Sequence, residues 1–427
     1  MANILVLSLV FPPDNVSTAQ IMGELAVDLH ARGHHITVVT TTPHYNHDTA
    51  AAAGQKLVRC WGGLLRRSEL HGIRVLHTLM PRKSRRVTAR LLAWIWFHLA
   101  STCVSIMIMP RPDVLLVPSP PLTIGVSAWI VSRLRRAQFI YNVQELYPDI
   151  AVDLGVLRNR PLIRALLRLE RFVYGRAAVV TVIASRMRDR LVVKKGVRAD
   201  KVEIVPNFVD VFALRPGSKD NAFSRRYGVA DTFLVTYAGN FGPAQGLETF
   251  IDAAALLRDD PGIHCMLIGG GTLEKRLREQ IGRLGLSNCS LVPHQPYERV
   301  PHIYAASDLC LVPQAAETGC DAIPSKIYRI MACARPVIAV TDIHGDLAQL
   351  VAAAGAGAVV PAGSPCALAE VIRRAAQHRA EWQAKGAAGR RHVEQHYSRQ
   401  HVSCRYHAIV ERLTGSSVGA CAAGGLI

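Results

Sequence analysis

The chain alternates short apolar runs with longer segments whose apolar residues recur at helical spacing. Residues 4–11 (ILVLSLVF) form the first run, apolar residues then recur every three or four positions over 21–29, and residues 36–41 (ITVVTT) form a second run. Gly33 stands between the last two segments, where a helix C-terminus favours glycine. This order predicts a βαβ unit, which requires parallel strands.

The same alternation continues through two successive series of predicted strands. The first series contains DVLLVPSP, QFIYNVQELYPD, VVTVIAS and VEIVPNFVD. The second contains FLVTYAGN, HCMLIGGG, CSLVPHQP, LCLVPQ, PVIAV and GAVVPAG. Between them, residues 215–232 are polar and rich in turn formers, which is typical of a linker. The pattern predicts an α/β fold with two doubly wound Rossmann-like domains facing a cleft, and ligands of such sheets bind at the carboxyl ends of the strands.

Charge adds an anionic partner to this picture. Lys plus Arg total 50 and Asp plus Glu total 32, so the formal net charge is +18. A phosphorylated ligand or an anionic membrane surface fits this excess, and a merely solvated surface is the alternative. We expect no nucleic-acid partner, because the chain has no long Lys/Arg tract and no recognisable reading motif. The ten cysteines form no Cys-x-x-Cys pair, and we expect no metal and no cofactor.

Residues 91–109 (LLAWIWFHLASTCVSIMIM) lack any formal charge and lie between Arg90 and Arg111. Their length is at the lower edge for a membrane span, and a run that reads as a buried strand follows directly. We therefore predict a helix inside a βα domain, with a membrane span as the alternative. Residues 81–97 combine a basic run with Trp94 and Trp96, which suits a helix lying on an anionic bilayer, although a buried aromatic helix has the same composition.

Two glycine-rich turns follow strands of the second series. In residues 237–250 (YAGNFGPAQGLETF), Gly239 and Gly242 allow close backbone approach, and Gly246 precedes a predicted helix whose amides point back at the loop. That geometry binds phosphate, although the spacing matches neither the dinucleotide-binding nor the P-loop pattern, and an ordinary turn is the alternative. In residues 267–277, the backbone at Gly269, Gly270 and Gly271 could approach a base or ribose or simply turn the chain.

A lysine occupies the start of a predicted helix in the second series. Pro324 and Ser325 favour a helix start, and Lys326 follows them directly. The positive end of a helix dipole disfavours a cation unless an anion is bound nearby. Lys326 and the 239–246 loop could therefore supply positive potential to a diphosphate without a metal, and an ordinary exposed lysine near a helix start is the alternative.

These motifs, taken together, resemble those of the family-4 retaining glycosyltransferases, which have the GT-B fold. The matching stretches span nearly the whole chain and include residues 11–46, 141–157, 201–216, 236–254, 323–339 and 396–410. The chain resembles most the branch of bacterial fucosyl and N-acetylfucosaminyl transferases of capsule and O-antigen synthesis. The resemblance implies a donor that is a nucleoside-diphosphate sugar, carrying UDP or GDP, in the C-terminal domain.

The resemblance also implies roles for individual residues of that domain. The residues expected to face the diphosphate and sugar are Gly239, Asn240, Gly242, Gln245 and Gly246. Ser325 and Lys326 are expected to hold phosphate or ribose, and Glu317 to reach a hydroxyl of the donor sugar. The family's paired glutamates fall on Asp321 and Arg329 here. Because Arg329 cannot accept hydrogen bonds, the ribose contact must change, or Arg329 adds a charge near the diphosphate.

In the N-terminal domain the family's His-Asp or Gln-Asp pair is matched by Gln144 and Glu145, which we expect near the reacting carbon and the acceptor. Asp149 is expected on the acceptor side, with capping of the next helix as its alternative role. The loop after the first strand, with Asn15, Ser17 and Thr18, is also expected on the acceptor side. His44 and Tyr45 are weaker candidates there.

We predict an N-terminal acceptor-binding domain over 1–206, a C-terminal nucleotide-sugar domain over 207–395, a terminal helix crossing back over 396–413, and a disordered tail over 414–427. The predicted function is retaining transfer of a sugar, such as N-acetylfucosamine, to a polyprenyl-diphosphate-linked saccharide. The resemblance implies a cytoplasmic enzyme at the inner membrane surface. The alternatives are a UDP-N-acetylhexosamine 2-epimerase-type enzyme and a catalytically impaired homologue that acts as a binding subunit.

Overall fold

A computed structural model of the chain describes residues 1–14, 16–44, 55–80, 87–153, 155–315 and 323–415, with the side chains of residues 87–91 and 297 left out of the description. The chain divides into two units. The first contains Met1–Asp149, Leu157–Asn207 and the chain from Arg399 onward, and the second contains Ile150–Val156 and Phe208–Ser398.

The first unit is built on one sheet. Its strands within the described residues are β1 (Asn3–Leu7), β2 (His35–Thr41), β3 (Val58–Cys60), β4 (Leu65–Leu70), β5 (Ile73–Thr78), β6 (Val114–Pro118), β7 (Gln138–Val143), β8 (Val179–Val182) and β9 (Val202–Ile204). Their order across the sheet is β3-β4-β5-β2-β1-β6-β7-β8-β9. All neighbours are parallel except β3–β4 and β4–β5, which are antiparallel.

The second unit is built on an all-parallel sheet. Its strands are β10 (Phe233–Asn240), β11 (Ile263–Gly270), β12 (Cys289–Pro293), β13 (Leu309–Pro313), β14 (Val337–Thr341) and β15 (Gly357–Pro361). Their order is β12-β11-β10-β13-β14-β15. The direction of winding therefore reverses at β10, and in open α/β sheets the crevice beside such a reversal is where ligands bind.

The helices cover both faces of these sheets. They are α1 (Ser17–Ala31), α2 (Val87–Met107), α3 (Ile124–Arg135), α4 (Asp149–Asp153), α5 (Arg160–Arg176), α6 (Ser185–Asp189), α7 (Ala222–Tyr227), α8 (Glu248–Leu256), α9 (Glu274–Leu284), α10 (Val300–Ala306), α11 (Lys326–Ala332), α12 (Asp346–Ala354), α13 (Pro365–Gln377), α14 (Arg379–His396) and α15 (Arg399–Thr414). Shorter helical turns span Trp61–Gly63, Arg190–Lys194, Ala199–Lys201, Pro243–Gln245 and Tyr297–Arg299.

Side chains of β10 show why a continuous apolar run forms this strand. Phe233, Val235 and Tyr237 enter the core on one face of the sheet, while Leu234 enters a second core on the other face. A parallel strand covered by helices on both faces must be apolar at successive positions. Both predicted strand series are confirmed for this reason.

The sequence analysis predicted no strands between residues 42 and 110, where the structure has the β3–β4 hairpin and β5. The β3–β4 hairpin lies at the sheet edge and keeps charged residues on its exposed side, so it lacks the apolar run that marks the central strands. The prediction of a helix within the charge-free 91–109 segment is confirmed by α2, which packs against α3 and the sheet. Within the described parts of the chain, no helix has both the length and the apolar character needed to cross a membrane.

Candidate active site

The glycine loop begins where β10 and β11 end side by side. Gly239 and Gly269 are paired in the parallel register, and both have positive φ angles, 153° and 149°. A Cβ atom on Gly269 would lie 1.8 Å from the carbonyl oxygen of Gly239. The two strand ends therefore approach more closely than any side chain would allow, which explains the glycines at both positions.

The loop after β10 is closed by its own side chains. Gln245 accepts a hydrogen bond from the Gly242 amide through Oε1 (3.1 Å), so this side chain, predicted to face a diphosphate, holds the turn. Gly246 has φ +56°, and a Cβ there would lie 3.2 Å from Cα of Ala315. The turn is thus packed against the end of β13, and α8 begins two residues after Gly246.

Gly271, in the second glycine-rich turn, is constrained as Gly269 is. Its φ is +155°, and a Cβ there would lie 2.5 Å from the carbonyl oxygen of Phe241 and 2.8 Å from Oδ1 of Asn240. Asn240 therefore sits between the two glycine turns, where the ends of β10 and β11 meet. The two turns are thus packed closely around the Asn240 side chain, which only glycine at position 271 permits.

Lys326 is brought to this loop from the other side of β10. Its Nζ lies 2.6 Å from where a Cβ of Gly239 would be, and 3.9 Å from the ring centroid of Tyr237. Tyr237 is fully buried, and its hydroxyl donates to the carbonyl oxygen of Asn240 (2.6 Å). The lysine ammonium is thus held over an aromatic face, next to a glycine that leaves room for it.

The electrostatic state of Lys326 is unusual for a lysine. Burial and, to a lesser extent, the nearby charge of Arg329 together lower its pKa from 10.5 to about 7. Within the part of the chain that the structure describes, Lys326 forms no ion pair with a carboxylate. A desolvated cation without a counter-charge is a strong candidate for binding an anionic ligand.

Ser325 is the N-cap residue of α11, so the predicted helix start at Pro324–Ser325–Lys326 is confirmed. Arg329 lies one turn after Lys326 and is partly exposed. Glu317 and Asp321 lie outside the described residues, as do Asn15 and Tyr45. The helix ends at Ala332, and Ala334 has a left-handed φ of 54°.

In the first unit, Gln144 is part of a buried chain of amide side chains. Its Nε2 donates to Oδ1 of Asn142 (2.7 Å), and its Oε1 accepts from Nδ2 of Asn207 (2.9 Å). Asn142 in turn donates to the hydroxyl of Tyr406 on α15 (2.9 Å). Gln144 thus links Asn142 on β7 to Asn207, and Asn142 links β7 to α15.

Glu145 and Asp149 follow β7 in different surroundings. Glu145 is exposed, and the protein around it limits its hydration enough to raise the pKa of its carboxyl. Asp149 begins α4 and accepts from Lys195 Nζ (2.9 Å), which also contacts the buried carboxylate of Glu170 (2.5 Å). The carboxylate of Asp149 is therefore engaged in a partly buried ion-pair network.

Ser17 and Thr18 are the first two residues of α1, at the carboxyl end of β1, and both are partly exposed. Beside them, the sequence analysis missed Asp14, whose buried carboxylate accepts from the backbone amide of His44 (2.9 Å). The His44 ring contacts the hydroxyl of Thr41 (2.9 Å). These polar groups meet where β1 and β2 end, which the Pro-Pro-Asp turn after β1 indicates only weakly.

Two domain families match the chain in the same order as the two units. Residues 18–207 match the glycosyl transferase 4-like domain, and residues 220–392 match the glycosyl transferases group 1 domain. Together these two glycosyltransferase domain families match most of the chain. The predicted enzyme class, a glycosyltransferase that uses a nucleotide-sugar donor, is confirmed.

This glycosyltransferase has relatives of similar length. It is similar to the putative colanic acid biosynthesis glycosyl transferase WcaI of Escherichia coli K12, with 26% identity over 81% of this chain and 85% of that protein. It is also similar to the probable glycosyltransferase WbjE of Pseudomonas aeruginosa, with 23% identity over 72% and 76% of the two chains.

Among solved structures, the glycosyltransferase is similar to Anabaena HepE in complex with UDP-glucose. The TM-score is 0.71 at 19% identity, over 97% of this chain and 100% of that one. This likeness confirms the GT-B fold predicted from the sequence. The described residues contain no group of three or more His, Cys, Asp or Glu side chains arranged to hold a metal ion, and the expectation of no cofactor stays a prediction.

Proposed function

We propose that this glycosyltransferase binds the diphosphate of a nucleotide-sugar between the glycine loop after β10 and Lys326, and that it transfers the sugar with retention of configuration. The observation that carries the proposal is the Lys326 ammonium, which lies over Tyr237 and beside Gly239 without a carboxylate partner in the described chain. A diphosphate placed there meets this cation at the backbone turn that follows β10.

In this proposal, configuration is retained because the acceptor attacks from the side on which the diphosphate leaves. The acceptor hydroxyl attacks the same face of the sugar that the diphosphate leaves, and the departing phosphate oxygen takes the acceptor proton. The protein then needs to orient both substrates and to stabilise negative charge on the leaving diphosphate. In this proposal Lys326 provides that stabilisation, Ser325 and Arg329 lie close enough in sequence to assist, and no protein nucleophile is required.

The substrates proposed are a UDP-sugar and a lipid-linked saccharide of a cell-surface polysaccharide. A solved neighbour, HepE, is bound to UDP-glucose, and the relative WcaI is named for colanic acid biosynthesis. We propose an N-acetylated deoxyhexose such as N-acetylfucosamine as the sugar, a polyprenyl-diphosphate-linked saccharide as the acceptor, and a location at the cytoplasmic face of the inner membrane. The acceptor side is then formed by the first unit, where Ser17 and Thr18 follow β1 and Glu145 follows β7.

A thermal-shift panel of UDP- and GDP-sugars tests the donor site. We expect one nucleotide class to raise the melting temperature of the native protein, and the shift to disappear in Lys326→Ala. Lys275→Ala is the matched control, because the Lys275 side chain is 90% exposed on α9 in the same unit. A ligand-induced shift that persists unchanged in Lys326→Ala, or disappears equally in the control, contradicts the proposed site.

Product analysis with the same panel separates the alternatives. Release of UDP that requires a saccharide acceptor supports sugar transfer. Conversion of the donor sugar without an acceptor indicates an epimerase-type enzyme. Donor binding without either reaction indicates a catalytically impaired homologue, in which Arg329 in place of the family's glutamate is the first residue to revert.

A further inference from the structure

The solvent-facing side of α2 is apolar along most of its length. The exposed apolar side chains on this stripe are Leu92 (66%), Ile95 (56%), Trp96 (45%), Leu99 (60%) and Met107 (52%). The first four recur at three- and four-residue spacing and Met107 follows two turns later, so all five lie on one side of the helix over about 22 Å. The opposite side, with Ala93, Phe97 and Val104, is buried in the unit. α2 is thus apolar on both sides, and its exposed apolar side is not covered by the residues that the structure describes.

The β3–β4 hairpin has more exposed apolar residues near the end of β5 that α2 also contacts. Val58, Trp61 and Leu64 are 63%, 50% and 64% exposed. Leu65 pairs with Thr78, so the hairpin tip lies at the carboxyl end of β5. Trp96 Nε1 donates to the carbonyl oxygen of Leu79, the residue that follows β5 (3.0 Å). The hairpin tip and the first half of α2 therefore meet the same end of β5.

The hairpin also carries positive charge. Arg59 is directly opposite Arg66 in the antiparallel register, and Arg67 is exposed. Nη1 of Arg66 is buried without a hydrogen-bond partner, and within the described residues no carboxylate pairs with these three arginines. Like charges facing each other across two strands destabilise the pair, and an anion bound to the hairpin would offset that effect.

The other end of the stripe is basic as well. Arg111 and Arg136 are exposed, and Arg111 donates to the carbonyl oxygen of Arg136 (2.8 Å), close to where α2 ends. Exposed tryptophans between arginines, beside a long apolar helix side, are typical of a surface that sits at the boundary between lipid headgroups and acyl chains. Unpaired arginines add attraction to anionic headgroups.

We propose that the first unit docks on an anionic bilayer through α2 and the β3–β4 hairpin, with the α2 stripe in the interface and the hairpin arginines on lipid phosphates. The proposal deepens the proposed function, since a lipid-linked acceptor would be met at that surface. The carboxyl ends of β1 and β2, where we place the acceptor side, belong to the same edge of the sheet as the hairpin tip. Docking there brings a membrane-held saccharide to the strand ends.

Vesicle co-sedimentation of the full chain tests the proposal. The probes are phosphatidylethanolamine vesicles with and without phosphatidylglycerol. The α2 variant combines Leu92→Gln, Ile95→Gln and Leu99→Gln, and the matched control combines Leu256→Gln and Ile343→Gln, two exposed apolar positions of the second unit. We expect the α2 variant to lower the partition coefficient on phosphatidylglycerol vesicles by about tenfold or more, and the control to match the native protein.

A second variant isolates the charge. Arg59→Ser with Arg67→Ser is expected to lower binding by about tenfold on phosphatidylglycerol vesicles, and to leave any binding to vesicles without it unchanged. Native-like binding by the α2 variant overturns the proposal. A native dimer in solution that the α2 variant loses also overturns it, because the apolar side would then be covered by a second copy of the chain.

The donor assay keeps this proposal separate from the proposed function. The α2 variant is expected to retain its donor-induced thermal shift, which shows that it is folded. If the native protein binds the donor but does not bind vesicles, only the docking proposal is contradicted. Vesicle binding by a protein that no nucleotide-sugar stabilises leaves the docking proposal in place and contradicts the function.

Discussion

Replacing Lys326 by methionine is predicted to stabilise the unliganded protein while it abolishes donor binding. The methionine side chain keeps the unbranched apolar stem that crosses the Tyr237 ring, but it removes the ammonium. In the unliganded protein that ammonium is desolvated, stands near the charge of Arg329, and has no carboxylate partner among the described residues. The group that the proposed ligand requires is therefore unfavourable when the ligand is absent.

The size of the effect comes from the pKa of Lys326, which falls from 10.5 to about 7 on folding. At about 1.4 kcal/mol per pH unit, this corresponds to an upper bound of about 5 kcal/mol below pH 7. Lys326 is partly exposed, so solvent screens part of this energy, and we expect about 1–3 kcal/mol for Lys326→Met at pH 7. Between pH 7 and 10.5 the unfolded state binds more protons, so the penalty fades as the pH rises.

Urea unfolding of the native protein and of Lys326→Met measures the difference in the free energy of unfolding. The measurements are made at pH 6.5 and at pH 9.5, below and above the Lys326 pKa of about 7. The variant is expected to be more stable at the lower pH, with a smaller advantage at the higher pH. UDP is expected to raise the melting temperature of the native protein and not of the variant. A variant that is less stable at both values, or an advantage that does not change with pH, refutes the reasoning.

Three further predictions address the loop, the pH and the first unit. Gly269→Ala is expected to destabilise the protein by about 2 kcal/mol or more, because the new Cβ would lie 1.8 Å from a carbonyl oxygen. Gly282→Ala in α9 is the control and is expected to be neutral or stabilising, because no atom lies within 4 Å of its Cβ. Equal urea midpoints for the two variants contradict this prediction. Donor affinity measured by calorimetry is expected to fall by up to about tenfold per pH unit above pH 7, because a bound diphosphate requires the protonated Lys326; a flat profile from pH 6 to 9 argues against that role. Lys195→Met leaves the buried Glu170 carboxylate without its cation and is expected to lower the free energy of unfolding by about 3–5 kcal/mol. Adding Glu170→Gln is expected to restore part of that loss. If the effects of the two substitutions simply add in the double variant, the two side chains do not interact and the prediction is contradicted.

Local patterns in the sequence were enough to predict the features on which the site is built. The apolar runs of β10 and β13, the glycines at 239 and 269, and the helix start at Lys326 are each marked by a few consecutive residues. Alternating strands and helices then determine that the ends of parallel strands meet at one edge of the sheet. This is why the sequence placed Gly239 and Lys326 at one site although they are far apart along the chain.

Contacts between distant side chains were not predictable in the same way. Nothing near Lys326 in the sequence indicates that Tyr237 lies beneath it, and nothing near Asp149 indicates that Lys195 takes up its carboxylate. Gln144 was predicted near the reacting carbon from a family motif, whereas its amide contacts Asn142 and Asn207. These pairings depend on how elements pack, which a one-dimensional pattern does not contain.

The β3–β4 hairpin shows a different limit. Its residues alternate little and include Arg59, Arg66 and Arg67, so hydrophobic periodicity gives no strand signal there. An edge strand needs one buried side only, and its exposed side is free to carry charge. The property that hid the hairpin from the sequence analysis is the same one that makes it a candidate contact for anionic lipid.

The most direct test of the donor site is a crystal structure of this chain with UDP. The account predicts that the diphosphate lies over the turn from Gly239 to Gly242, with one of its oxygens within hydrogen-bonding distance of Nζ of Lys326. UDP bound elsewhere, or bound in this turn with the Lys326 ammonium directed away from both phosphates, would contradict it.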